Sequence, residues 1–121
     1  MSDDDPGRRL EEVGTDPDPR FTLANERTFL AWVRTGLALS AAGLAAVEFL
    51  SSQREAVRLA IGLPLILLGA LTAFASHGRW EANERAMRLG HPLPLSRLPR
   101  VLALGVGFVA VAAIVLAVAK P

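Results

Sequence analysis

The chain has 121 residues, is 51% hydrophobic, carries a net charge of +1 and contains neither cysteine nor tyrosine. The missing cysteines exclude disulfides, thiol chemistry and cysteine-based metal sites. The apolar residues collect into three blocks instead of spreading over amphipathic elements, which argues against a soluble helical bundle and for helices that cross a bilayer.

Residues 1–19, MSDDDPGRRLEEVGTDPDP, are acidic and contain Pro and Gly. They read as a disordered acidic tail in front of a transmembrane domain over 20–121. No basic start followed by a short apolar run and a small-residue cleavage site is visible, so the first span itself is expected to direct insertion. Asp18 before Pro19 reads as an N-cap with Pro at the first helical position. From there one helix is expected to run through Phe21, Leu23, Phe29 and Trp32 into a first span at about residues 29–50, with Trp32 at headgroup level.

The second span, residues 59–76, has eighteen residues without a charge, and Pro64 lies near its outer end, where a kink is cheap. Beyond it the text RWEANERAMRLG offers Glu81 with Arg85 and Glu84 with Arg88 as i,i+4 pairs, so the helix should continue past the membrane. Gly90 is the expected stop, and Pro92 and Pro94 prevent continuation. Residues 96–100 lead into the third span, 101–119, nineteen residues without a charge. The expected fold is an all-α membrane protein of three transmembrane helices, the first two extended into the cytoplasm.

Lys and Arg near the spans set orientation. Ten of them flank one side (Arg8, Arg9, Arg20, Arg27, Arg34, Arg79, Arg85, Arg88, Arg97 and Arg100), and three flank the other (Arg54, Arg58 and Lys120). This predicts a multi-pass membrane protein with its N-terminus in the cytoplasm and its C-terminus outside.

The first span is the informative one. Thirteen uncharged residues separate Arg34 from Glu48. At 1.5 Å rise per residue the two charges stand roughly 21 Å apart, against a hydrocarbon core of about 30 Å. At least one must enter the apolar slab, snorkel out of it or face a protein-lined cavity, and ionisable groups in spans commonly mark functional sites. Arg27 and Arg34, seven apart, share a face with Ala41 and Glu48. A second stripe of Gly36, Ser40, Gly43 and Val47 reads as a helix-packing surface. Snorkelling of Arg34 to cytoplasmic phosphates, with Glu48 at the outer headgroups beside Arg54, is the competing account.

Ala24-Asn25-Glu26-Arg27 before the first span recurs as Ala82-Asn83-Glu84-Arg85 after the second. Asn25, Glu26, Asn83 and Glu84 would then form a polar belt at one membrane surface, together with the guanidinium groups of Arg27 and Arg85. His77 and His91, fourteen apart in what reads as a loop, lack the spacing of a ligand pair. Gly105 and Gly107 read as packing positions in the third span. No catalytic triad, phosphate loop or zinc spacing is present. No enzymatic activity, cofactor or metal is expected.

The stretch NERTFLAWVRTGLAL at residues 25–39, with the later run RWEANERAMRLGHPLPLSR, resembles the YidH-like family of bacterial inner-membrane proteins, domain of unknown function two-hundred-and-two. The resemblance covers nearly everything from Arg20 onward and implies a place in the plasma (inner) membrane. It extends to the transmembrane portion of the eukaryotic vacuolar transporter chaperone, which passes polyphosphate through a pore lined by first helices with basic residues at the cytoplasmic mouth. It implies that Arg27 and Arg34 match such basic positions, with Arg85 or Arg88 a looser match. The polymerase domains of that complex have no counterpart here.

Two functions follow as expectations. In the first, the chain forms a homo-oligomer whose first helices line a cytoplasmically basic path for anions such as phosphate or polyphosphate. In the second, it is a non-conducting adaptor or assembly factor that holds an unidentified protein partner or an anionic lipid. The bilayer is the expected surrounding in both, and nucleic acid is not an expected partner.

Overall fold

The computed structural model describes residues 7–50 and 54–119. Among them the chain forms a short 3-10 turn, Leu10–Glu12, and three helices: α1, Pro19–Phe49; α2, Glu55–Leu89; and α3, Leu98–Val118. No strand occurs among the described residues. All three helices are long and apolar enough to cross a membrane. With 31 and 35 residues, α1 and α2 are about 46 and 52 Å long, well beyond a hydrocarbon core of about 30 Å. The 21 residues of α3 amount to little more than a span.

Local chemistry sets the helix ends. Asp18 caps α1, its Oδ1 accepting from the Arg20 backbone N–H at 2.9 Å, with Pro19 in the first turn. Gly90 ends α2 in the left-handed region at φ 71°, where an L side chain would be strained, and its N–H bonds back to Met87 O. At the start of α3 the Leu98 N–H is taken by Ser96 Oγ at 3.1 Å. His77, expected in a loop, lies inside α2, because that helix runs unbroken from the span to Leu89.

There is almost no internal apolar core. Only Val13, Ala86 and Val109 are buried hydrophobic residues among those described, while Leu37, Leu67, Phe74, Leu104 and Phe108 are exposed. Helices that are apolar all round and unburied by protein require lipid as their surrounding. In lipid no hydrophobic force drives one helix onto another, so close approach of small residues and buried polar bonds must hold them together.

Helices α1 and α2 do this as an antiparallel pair. Gly36 faces Gly69 and Gly43 faces Gly62. A Cβ on Gly36 would come 2.8 Å from the Gly69 carbonyl oxygen, and one on Gly43 would come 2.5 Å from that of Gly62. The stripe of Gly36, Ser40, Gly43 and Val47 is therefore filled from within the chain, and it is not a surface for another molecule. The hydroxyls along the seam bond to their own helices, Ser40 to Gly36 O, Thr72 to Leu68 O and Ser76 to Ala73 O, so these three are each paired within the apolar surroundings. At the far end of the pair Arg58 donates to Val47 O at 3.2 Å.

Helix α3 packs on α2 and makes little contact with α1. Gly105 accepts the Leu68 side chain, whose Cδ2 would lie 2.7 Å from an added Cβ. Gly107, expected to pack, faces open space with nothing within 4 Å of such a Cβ.

Composition read residues 1–19 as a disordered tail. From Gly7 on, the chain is instead laid against the end of α2. Val13 is fully buried there, and the Thr15 N–H donates to Arg88 O at 3.0 Å. Gly14, at φ 53°, passes so close to Arg88 O that no Cβ fits. Residues 1–6, 51–53 and 120–121, including Lys120 of the charge count, lie outside the described residues.

Candidate functional site

The antiparallel pairing brings the repeated Ala-Asn-Glu-Arg sequences to one end of the α1–α2 pair, here the basic end. Asn25 is buried at the centre. Its Nδ2 donates to Trp80 O at 3.0 Å and to Glu84 Oε1 at 3.2 Å, and its Oδ1 accepts from Asn83 Nδ2 at 3.2 Å. Glu84, also buried, takes a further bond from Thr22 Oγ1 at 3.3 Å. Three of the four belt residues therefore meet. Glu26 does not join them: it follows Asn25 by one position, about 100° round the helix, and is exposed. Thr22 was legible as a partner, being three residues before Asn25 on the same face. The Glu84–Arg88 pair expected on α2 is replaced by these bonds across helices, whereas Glu81 and Arg85 do approach, at 3.7 Å.

Arg85 and Arg88 serve the N-terminal segment. Arg85 Nη2 donates to Arg8 O at 2.8 Å. Arg88 Nε donates to Val13 O at 2.8 Å, its Nη2 to Glu11 O at 3.3 Å, and its Nη1 meets Asp16 Oδ1 at 2.8 Å. Three acceptors from residues 11–16 around one guanidinium explain how an acidic, polar segment is held without an apolar face. Along this segment Glu11 has its carboxyl held below the usual range, first by a bond from its own backbone N–H and then by the charge of Arg9.

Arg27, Arg34 and Glu48 are placed differently. All three are exposed, with no hydrogen bond or ion pair among the described residues. Arg34 precedes Gly36 by two positions, so the two residues point about 160° apart around the helix axis. The charged stripe thus runs along the side of α1 turned away from α2, and Ala41 is exposed between Arg34 and Glu48. The charged and small-residue stripes are therefore nearly opposite around α1. One chain consequently leaves an arginine and a glutamate on a surface that lipid would otherwise cover.

An aromatic group completes the basic end. Phe29, His77 and Trp80 have ring centroids 6.0–6.4 Å apart. The Arg79 guanidinium lies 5.3 Å from the centroid of the Trp32 ring, a cation–π contact between the helices. Arg79 and Trp32 were not foreseen as partners, because nothing in their spacing joins residues so far apart in sequence. Among the described residues no group of three or more His, Asp or Glu side chains is arranged to hold a metal ion.

Comparison with known proteins places these features in a family. The family model described as domain of unknown function DUF202 matches residues 20–86, which hold all of α1 but its first residue and most of α2. An uncharacterized protein of Mycobacterium tuberculosis is 46% identical over 106 residues, covering 87% of each chain. The inner membrane protein YidH of Escherichia coli is 38% identical over 104 residues, covering 85% of this chain and 90% of its own. No solved structure matches the chain. With its motif-bearing first helix, its three helices and this extent of similarity, the chain belongs to the DUF202 family of membrane proteins.

Proposed function

We propose that this chain is the non-catalytic subunit of a homo-oligomer in the inner membrane, in which the Arg27–Arg34–Glu48 face of α1 lines a path for anions such as phosphate or polyphosphate. The observation that carries this reading is the exposure of that face opposite the α1–α2 seam, with its charges unpaired among the described residues. A charged side chain at the centre of a membrane helix costs about 2.5–3.5 kcal/mol on insertion scales. Turning the face toward the same face of further copies, around water, removes most of that cost. In this orientation the basic end lies in the cytoplasm, and arginines at successive helical turns attract polyanions at the mouth.

The Arg85 and Arg88 contacts with the N-terminal segment reduce the basic mouth to Arg27 and Arg34 and favour a second reading. There the exposed face of α1 docks a partner protein and the chain is an adaptor. Its docking surface has to be the charged stripe, since α2 fills the small-residue stripe.

Reconstituted liposomes separate the two. The conducting reading expects phosphate or polyphosphate flux that Arg27→Gln with Arg34→Gln abolishes while the oligomer keeps its native mass. Unchanged flux in that double variant refutes it. A monomer that conducts nothing and co-purifies with one defined protein supports the adaptor.

A further inference from the structure

A cavity of about 260 Å³ opens between α1 and α2 at the basic end, lined by Phe21, Asn25, Thr28, Arg79, Asn83 and Leu93 among others. Arg79 is its charged residue. The guanidinium rests on the Trp32 ring, yet its Nε and Nη1 are buried with no hydrogen-bond acceptor. A buried N–H of a charged group that lacks an acceptor destabilises the fold, so such groups ordinarily meet an anion or a carbonyl. The buried carboxylate at this end, Glu84, accepts from Asn25 and Thr22 and makes no bond to Arg79 among the described residues. The site therefore presents a cation without an anion, beside an amide and a hydroxyl, with apolar walls from Phe21 and Leu93.

Depth selects the chemistry. The charge-free run of α2 ends at Ser76, and Arg79 is the first charged residue after it. That is the level of the headgroups, where phosphate is the prevailing anion and a planar guanidinium pairs with two of its oxygens. We propose that this cavity binds a phosphate group, with Arg79 as the anchor and Thr28 and Asn83 as further donors. The phosphate is carried by an anionic phospholipid whose glycerol and first methylenes lie on Phe21 and Leu93, or is taken up free; the same chemistry serves both. This site lies within one chain, on the α2 side of α1, and does not depend on the proposed anion path.

Native mass spectrometry of the full chain tests it, with phosphatidylglycerol, phosphatidylcholine and inorganic phosphate as probes. The wild type should retain phosphatidylglycerol over phosphatidylcholine, and Arg79→Gln should weaken retention by about tenfold or more, the loss of a charge-assisted bond. Leu93→Trp, which fills the cavity from the exposed connection between α2 and α3, should do the same without touching the helix seam. If inorganic phosphate fails to displace the lipid, the phosphate is a headgroup. If phosphate alone binds and displaces it with the same sensitivity to both variants, the site takes the free ion. Folded Arg79→Gln and Leu93→Trp proteins that bind both probes as the wild type does overturn the proposal. Should Arg79→Gln not fold, Leu93→Trp decides alone. Arg27→Gln with Arg34→Gln should leave retention unchanged, and its loss there would assign the binding to the outer face of α1 and overturn the proposal as well.

Discussion

Replacing Gly69 by Ala should pry α1 from α2, and Gly78→Ala supplies the reference. A Cβ on Gly69 would overlap Ser40 Oγ and lie 2.6 Å from Gly36 O and 2.9 Å from the Ser40 backbone nitrogen. The hydroxyl can rotate; the backbone atoms can yield only if the helices separate. Gly78 lies in the same helix with nothing within 4 Å of an added Cβ. Both changes gain the same helix propensity, about 0.5–1 kcal/mol, so propensity cancels in the difference. What remains is the overpacking term, about 1–3 kcal/mol, by which Gly69→Ala should be the less stable of the two. Reversible unfolding in mixed micelles, followed by fluorescence, reads this directly, because Trp32 on α1 and Trp80 on α2 are the chain's two tryptophans. Equal stability of the two variants would refute the claim that this seam holds the pair together.

Other outcomes follow from individual contacts. Glu84→Leu strips Asn25 and Thr22 of an acceptor and should destabilise the basic end by about 1–3 kcal/mol, measured by the same unfolding assay; Glu84→Gln should cost less. Arg88→Ala removes the donor to Val13, Glu11 and Asp16, so amides of residues 11–16 should exchange hydrogen much faster while those in the α1–α2 seam stay protected. Asp18 has its carboxyl held below the ordinary value by the Arg20 side chain and then by the Arg20 backbone N–H. Its contribution to the first turn of α1 is therefore full above the unfolded carboxylate value, near 3.9, and is lost as pH falls through the lower folded value. Nuclear magnetic resonance titration should show that fraying of the first turn in the wild type, and Asp18→Asn, which keeps a cap, should remove the titration step.

What was legible in the sequence was local. Apolar blocks marked three spans, two of them free of charge because lipid punishes charge at every face, and Asp18–Pro19 and Gly90 marked helix ends because those residues act on their own backbone. The seam was half legible. Gly36 and Gly43 announced a packing face, but only the antiparallel pairing shows that Gly62 and Gly69 on α2, with the same seven-residue spacing, fill it. The belt was legible in three of its four members, since Asn25, Asn83 and Glu84 needed only antiparallel pairing to meet. The hold on residues 7–18 was invisible because it rests mainly on backbone carbonyls, which every sequence has, reached by Arg88 from a helix far away in sequence. The contact of Arg79 with Trp32 was equally hidden, as it depends on helix rotation and not on spacing.

The charged face of α1 carries the functional account, and its surroundings can be measured. The chain has no cysteine, so a single Ala41→Cys, exposed between Arg34 and Glu48, reports on that face alone, with Phe108→Cys on exposed α3 as the lipid-facing reference. A membrane-impermeant thiol reagent should label Ala41→Cys in intact membranes and leave Phe108→Cys unmodified, as a water-filled path requires. Ala41→Cys as inert as Phe108→Cys would contradict the account and return Arg34 and Glu48 to snorkelling or to a dry protein interface.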